Sequence, residues 1–246
     1  MIDDDAPVGR LLTRREALAA LAAMGAGGMA FLSACGATAD ARTAAQPGMC
    51  VARPELTEGP YFVDERLNRR DIRSDPVTGA VKAGVPLELG FTVSRLSANR
   101  CTPLPNAVVD VWHTDALGVY SDVRDPGFET TGQKWLRGSQ LTDAAGVAGF
   151  TTIYPGWYSG RAVHIHFKIR GTAASGRAFD FTSQLFFDED VTDAVHARPP
   201  YAARGRRTRM NSGDGIFRQG GAQLLLTPAR TADGYAAPFS IGLQDV

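Results

Sequence analysis

Val163-His164-Ile165-His166-Phe167-Lys168-Ile169 alternates without a break. Successive side chains of a strand face opposite sides of its sheet, so the pattern predicts an extended segment with Val163, Ile165, Phe167 and Ile169 toward a core. His164 and His166 then share the other face, about 7 Å apart along the strand, close enough for both to bind one ion. An edge strand turning His, His and Lys to water has the same pattern.

Strand character recurs between turn signals on both sides of this segment: Leu87 to Leu96, Ala107 to Trp112, Gly146 to Ile153, Phe179 to Phe187 and Gln223 to Thr227. The best helix candidate, Val191 to Arg198, is short. Many strands, long loops and little helix predict an all-β chain folded as an antiparallel β-sandwich. A loop as long as Ser121 to Gly138 is where such a scaffold carries chemistry.

The chain has 246 residues, 44% of them hydrophobic, and no net formal charge. That suffices for a full core and gives no sign of a nucleic-acid or polyanionic partner. Arg204, Arg206, Arg207 and Arg209 form the one basic cluster, read as a solvated loop. At the N-terminus, Thr13-Arg14-Arg15-Glu16-Ala17-Leu18 precedes an apolar, Ala- and Gly-rich run to Ala34, which reads as a twin-arginine export signal. Leu32-Ser33-Ala34-Cys35 resembles a lipobox, which would make Cys35 a lipidated residue and the membrane a partner only through that anchor. The expected organisation is an export signal over 1–36, a flexible tether over 37–49 and one catalytic β-sandwich domain over 50–246. An exported chain is periplasmic or extracellular, and there Cys50 and Cys101 can pair.

Two tyrosines lie within reach of the histidines in sequence. Tyr158 stands six residues before His164 across a Gly-containing turn, with Tyr154 as a local competitor, and Tyr120 follows the turn-like Asp115-Ala116-Leu117-Gly118. Phenolate is a hard anionic donor that favours ferric iron, whereas zinc sites use Cys, His and carboxylate, and calcium sites use carboxylate and carbonyl oxygens. Two phenols and two imidazoles therefore point to non-haem Fe(III). Spacing alone leaves Tyr154 and Tyr158 both open.

The segments Pro105-Asn106-Ala107-Val108-Val109-Asp110-Val111-Trp112-His113 through Tyr120, and Phe150-Thr151-Thr152-Ile153-Tyr154-Pro155-Gly156-Trp157-Tyr158 through His166, resemble the intradiol ring-cleavage dioxygenases, closest to the exported protocatechuate 3,4-dioxygenase-like branch. The resemblance runs from about Glu58 to Phe187. It implies Tyr120, Tyr158, His164 and His166 as ligands of Fe(III), and so selects Tyr158 over Tyr154. It places the family's active-site arginine and glutamine on Arg161 and Gln184, and makes Tyr158 the tyrosinate that leaves the metal as substrate arrives. Glu58-Gly59-Pro60-Tyr61-Phe62 is similar to the stretch that lines the substrate pocket, which puts Pro60 and Tyr61 there. The implied activity is cleavage of catechol-type diols by O₂ to muconate-type dicarboxylates, in a chain that can form a homo-oligomer. His113 and His196 receive no role, and Asp110 and Asp115 are candidates to orient a ligand imidazole.

The interval from Tyr158 to His164 is shorter than in the protocatechuate enzymes, and the helical N-terminal region of the catechol and hydroxyquinol enzymes is missing, so the pocket rim differs from both. Two rivals stand beside this reading. One is an exported β-sandwich binding module of the same fold without iron. The other is a zinc or copper enzyme using His164 and His166 alone.

Overall fold

The computed structural model describes residues 50–97, 100–244 and 246. The export signal over 1–36, Cys35 and the tether over 37–49 lie outside the described residues. Among the described residues no helix is long and apolar enough to cross a membrane.

Two five-stranded sheets form the domain. The first has β1 (Pro86–Ser97) at its centre, flanked by β12 (Tyr235–Gln244) on one side and by β2 (Arg100–Pro103) and β7 (Val147–Ile153) on the other, with β11 (Ala229–Arg230) outside β12. The second runs β10 (Leu225–Leu226), β9 (Ala178–Phe187), β8 (His164–Thr172), β3 (Val108–Trp112) and β6 (Arg137–Leu141). A hairpin of β4 (Arg124–Asp125) and β5 (Phe128–Glu129) projects from the loop between β3 and β6.

Alternation in β1 sends Leu87, Leu89, Phe91 and Val93 inward, where they are buried, and leaves Glu88 and Thr92 outside. From the opposite sheet come Val109, Val111, Ile165, Phe167 and Ile169. The sheets meet through aromatic contacts, with Phe167 5.4 Å from Phe91 and 5.6 Å from Phe239 between ring centroids. The β-sandwich is as expected, but the sheets are mixed. β12 runs parallel to β1 over ten register pairs, and β10 runs parallel to β9. β12 alternates, with Tyr235, Ala237, Phe239, Ile241 and Leu243 buried, but Pro238 and Gly242 within it argue against a strand. Pro238 is tolerated because β11 pairs only with Tyr235 and Ala236, so no partner strand on that edge needs its missing N–H.

Among the described residues the one α-helix, α1 (Glu189–His196), starts two residues before the expected position, and Asp188 caps it by accepting from the backbone N–H groups of Asp190 and Val191. Arg207 departs from the expected solvated loop: its side chain is 3% exposed and pairs with Glu189 and Asp193 of α1. Cys50 and Cys101 are joined by a disulfide, with Cα atoms 5.7 Å apart.

The segment after Leu56 crosses the outer face of the second sheet, from Leu56 N–H on Thr182 of β9 to Arg69 N–H on Ser139 of β6, and then reaches Thr151 of β7 in the first sheet through Ile72 N–H. This strap covers the histidine face of β8, so both faces of the strand are buried. Its far end is fixed by Asp75, 3% exposed, which accepts from the N–H groups of Val77, Thr78 and Lys134 and from the Thr78 hydroxyl. Burial alone would raise the Asp75 carboxyl, but these hydrogen bonds hold it below its ordinary 3.8. A depressed carboxyl stabilises the fold above its unfolded value, and that contribution fades as pH falls through the lowered folded value. Asp75→Asn is therefore expected to cost about 1–3 kcal/mol at neutral pH. It should also flatten the loss of stability below about pH 4, read by denaturant unfolding across pH.

Candidate metal centre

Strand pairing decides which side chains share the covered face of β8. In register, Trp112 of β3 and Gln184 of β9 flank His166, and Phe186 lies beside His164. The Trp112 indole stacks on the His166 ring at 4.9 Å and 10°, fixing its plane. The strap passes directly over this ring. Gly59 lies at φ +71°, and a Cβ there would come within 3.4 Å of His166 Cε1.

Two loops bring in the tyrosines. After β3, Asp115 accepts from the N–H groups of Leu117 and Val119, and Gly118 at φ +79° completes the turn that delivers Tyr120. After β7, the Tyr154 hydroxyl hydrogen-bonds Thr192 of α1 at 2.7 Å, away from the histidines, and the chain then turns to present Tyr158. The two loops interlock: Gly156 N–H donates to the Asp115 carbonyl at 3.0 Å, and the Thr114 hydroxyl donates to the Gly156 carbonyl at 3.0 Å.

Around His164 Nε2 the polar atoms converge. The Tyr120 hydroxyl and the Tyr158 hydroxyl each lie 3.4 Å away, and His166 Nε2 lies 3.0 Å away. His164 Nδ1 sits 2.7 Å from the Ala162 carbonyl, so Nδ1 carries the proton and Nε2 presents its lone pair to the cluster. Burial holds His164 neutral, down to about 3, and pushes His166 well below its usual range. The same burial raises both phenols, Tyr120 most of all. With no cation among them, these four groups are two neutral imidazoles and two protonated phenols in a dry site. A highly charged cation at the point they share would turn the phenols into phenolate donors. Among the described residues no group of three or more His, Cys, Asp or Glu is gathered as a metal site, so a metal ion bound at this cluster would need the phenols as donors. The residues present fit Fe(III).

Arg161 borders the cluster. Its Nη1 is 3.4 Å from His164 Nε2, its Nη2 donates to Gln184 Oε1 at 2.5 Å and its Nε donates to Asp214 at 2.8 Å. Gln184 in turn donates to the Thr57 carbonyl of the strap. Asp214, which the sequence does not single out, is 1% exposed and also accepts from the N–H groups of Ala162, Ile216 and Phe217. Its only signal is a polar Asn211-Ser212-Gly213-Asp214-Gly215 run ahead of the apolar Ile216-Phe217 pair.

Of the two expected pocket residues, Tyr61 stacks on Tyr120 at 4.6 Å and meets Tyr158 edge-on at 6.5 Å, while Pro60 is exposed. His113 is a buried structural residue held between the Thr114 carbonyl and the Thr152 hydroxyl, and His196 packs flat on Tyr201. Asp110 pairs with Arg170 and Asp115 with Lys82, and each is engaged away from the imidazoles.

Comparison with known proteins places this geometry in context. The family model described as Dioxygenase matches residues 57–204. The chain is 32% identical to the protocatechuate 3,4-dioxygenase beta chain of Burkholderia cepacia, over 60% of this chain and 66% of that one. It is 33% identical to catechol 1,2-dioxygenase 2 of Acinetobacter lwoffii, over 47% of this chain and 38% of that one. The matches thus span less than two thirds of either curated relative. A solved intradiol ring-cleavage dioxygenase from Tetranychus urticae superposes with a TM-score of 0.70 at 28% identity, covering 80% of this chain and 96% of that one.

Proposed function

The chain belongs to the intradiol ring-cleavage dioxygenase family, and on that premise we propose that it is an exported non-haem Fe(III) enzyme that opens catechol-type rings between the two hydroxylated carbons. The observation that carries this reading is the convergence of two phenol oxygens and the His166 Nε2 nitrogen within 3.4 Å of His164 Nε2. Tyr120, Tyr158, His164 and His166 would hold the iron. In the proposed reaction the bond between the two oxygenated carbons breaks, and the ring supplies the electrons that reduce O₂. Both oxygen atoms enter the product, a muconate-type dicarboxylate.

The chemistry that iron would supply there is Lewis acidity and redox activity toward a bound catechol and O₂. The chain's own residues do the rest. Tyr120 is 1% exposed and locked under Tyr61, so it is the fixed phenolate. Tyr158 is only partly buried and is followed by the exposed Ser159 and Gly160, so of the two phenols it is the one that would have room to move and to accept a catechol proton on its oxygen. His164 keeps its lone pair on the site through its Nδ1–H bond to Ala162. Arg161, held by Asp214 and Gln184, presents Nη1 to the site, where a cation stabilises negative charge developing on the substrate.

This reading is tested by iron content and visible absorption of the folded protein. Tyrosinate bound to Fe(III) gives a red-brown charge-transfer band, and one iron per chain with that band is expected. A folded, colourless chain that takes up no iron would support the binding-module alternative. Export is part of the proposal and rests on Arg14-Arg15 and the apolar run after them. Arg14→Lys with Arg15→Lys is expected to leave the protein in the cytoplasm on cell fractionation.

A further inference from the structure

We propose that this centre selects catechols whose ring carries no anionic substituent, a specificity that rests on the dioxygenase reading above. The argument is one of charge. Arg161, the cation beside the cluster, has no free pair of nitrogens to grip a substrate carboxylate in a two-pronged way. Its Nε is on Asp214 and its Nη2 on Gln184, and Nη1 faces His164 Nε2. Asp214, whose side chain is 1% exposed, holds Nε at 2.8 Å and so fixes the guanidinium with Nη1 alone toward the site. Arg137, behind the Tyr120 loop, is itself 2% exposed and donates to the carbonyl and hydroxyl of Ser121, so it meets no entering ligand. On the loop that carries Asp214, Arg209 and Arg218 turn back onto the Gly213 and Ser212 carbonyls.

The mouth carries the opposite sign. Tyr158 is the more exposed of the two tyrosines of the cluster, and the ring beside it on the open side is Tyr61. The Tyr61 hydroxyl donates to Asp125 Oδ2 at 2.7 Å, and Gly127 N–H donates to Oδ1 at 2.8 Å. Asp125 has no ion-pair partner among the described residues; its neighbour Arg124 is taken by Glu129. One ring and one hydrogen bond therefore separate an uncompensated carboxylate from Tyr120. A ring carboxylate entering past Tyr61 meets an anion, whereas an apolar substituent meets the faces of Tyr61 and Phe128, whose rings are 6.5 Å apart. Such discrimination works by repulsion of the wrong ligand as much as by attraction of the right one.

The test compares two probes that differ only in one ring substituent, 4-methylcatechol and 3,4-dihydroxybenzoate, on the iron-loaded full chain. Two quantities are read for each: kcat/KM from oxygen uptake, and anaerobic Kd from the change in the visible spectrum. The methyl compound is expected to be favoured at least about tenfold in both, and the gap should shrink with added salt. Asp125→Asn, which keeps the acceptor for Tyr61, is expected to narrow the gap by improving the benzoate more than the methyl compound. Equal or better use of the benzoate, or a gap unmoved by Asp125→Asn, overturns the inference and leaves the dioxygenase reading standing. Failure to bind or oxidise either probe contradicts the dioxygenase reading itself, and this inference falls with it.

Discussion

Tyr158→Phe is expected to fold as the parent does, keep iron, lose about half of the visible charge-transfer intensity, and lose turnover by at least about a hundredfold. The reason lies in the unequal settings of the two phenols. Tyr158 stands at the open side, and its oxygen is both a metal donor and the base that receives a substrate proton in this account; a phenyl ring supplies neither. Tyr120→Phe should act differently. Tyr120 is 1% exposed, stacked against Tyr61, and bordered by the cluster, so its loss removes an anionic donor that no solvent group replaces without rearrangement. Weaker iron retention on dialysis, together with loss of activity, is expected there. A zinc or copper enzyme working through His164 and His166 alone would show neither effect, because its metal would ignore both phenols.

The second large effect comes from a residue with no side chain. Gly118 lies at φ +79°, and a Cβ there would sit 2.0 Å from the Trp157 carbonyl oxygen, in the loop that carries Tyr158. Gly118→Ala therefore combines backbone strain with a clash against main chain, and should cost several kcal/mol, about 3–5, while forcing the two tyrosine loops apart. Gly79 is the control. It has φ +74° but nothing within 4 Å of its would-be Cβ, so Gly79→Ala should cost only about 1 kcal/mol and leave iron and colour unchanged. The measurement is urea unfolding of both variants alongside visible absorbance. Equal costs for the two would show that the interlock between Gly118 and Trp157 does not hold the site together.

What was legible in the sequence follows from how local each signal is. Strands with clean alternation, β1, β8 and β9, stand out because one face of each must meet a core. β12 alternates too, from Tyr235 to Leu243, but Pro238 argues against a strand until the absence of a full outer neighbour is known, and its parallel pairing with β1 is a tertiary fact. β6 is equally hidden: Arg137-Gly138-Ser139-Gln140-Leu141 has little strand propensity, and it is extended because it pairs with β3. Period two puts His164 and His166 on one face, but the same pattern fits an edge strand facing water, and only the strap over β8 shows that face to be buried. The choice of Tyr158 over Tyr154 needed the family pattern, since both lie near the same turn; in the fold Tyr154 points to Thr192 and Tyr158 to His164. Asp214 could not be read at all. Its role depends on a loop from the far end of the chain folding under Arg161, and a lone aspartate between glycines looks like any turn. The strap had the reverse problem: Glu58 to Phe62 was noticed as a pocket lining, but its burial of the histidine face is a tertiary fact, fixed by the Glu58–Lys168 ion pair and by Gln184 on Thr57.

Cleavage position and oxygen origin test the central claim most directly. In a single turnover of 4-methylcatechol by the iron-loaded chain under ¹⁸O₂, the account predicts a methyl-substituted muconate carrying two labelled oxygens, one at each new carboxylate. A yellow semialdehyde from cleavage outside the diol, or a muconate lacking label, would contradict it.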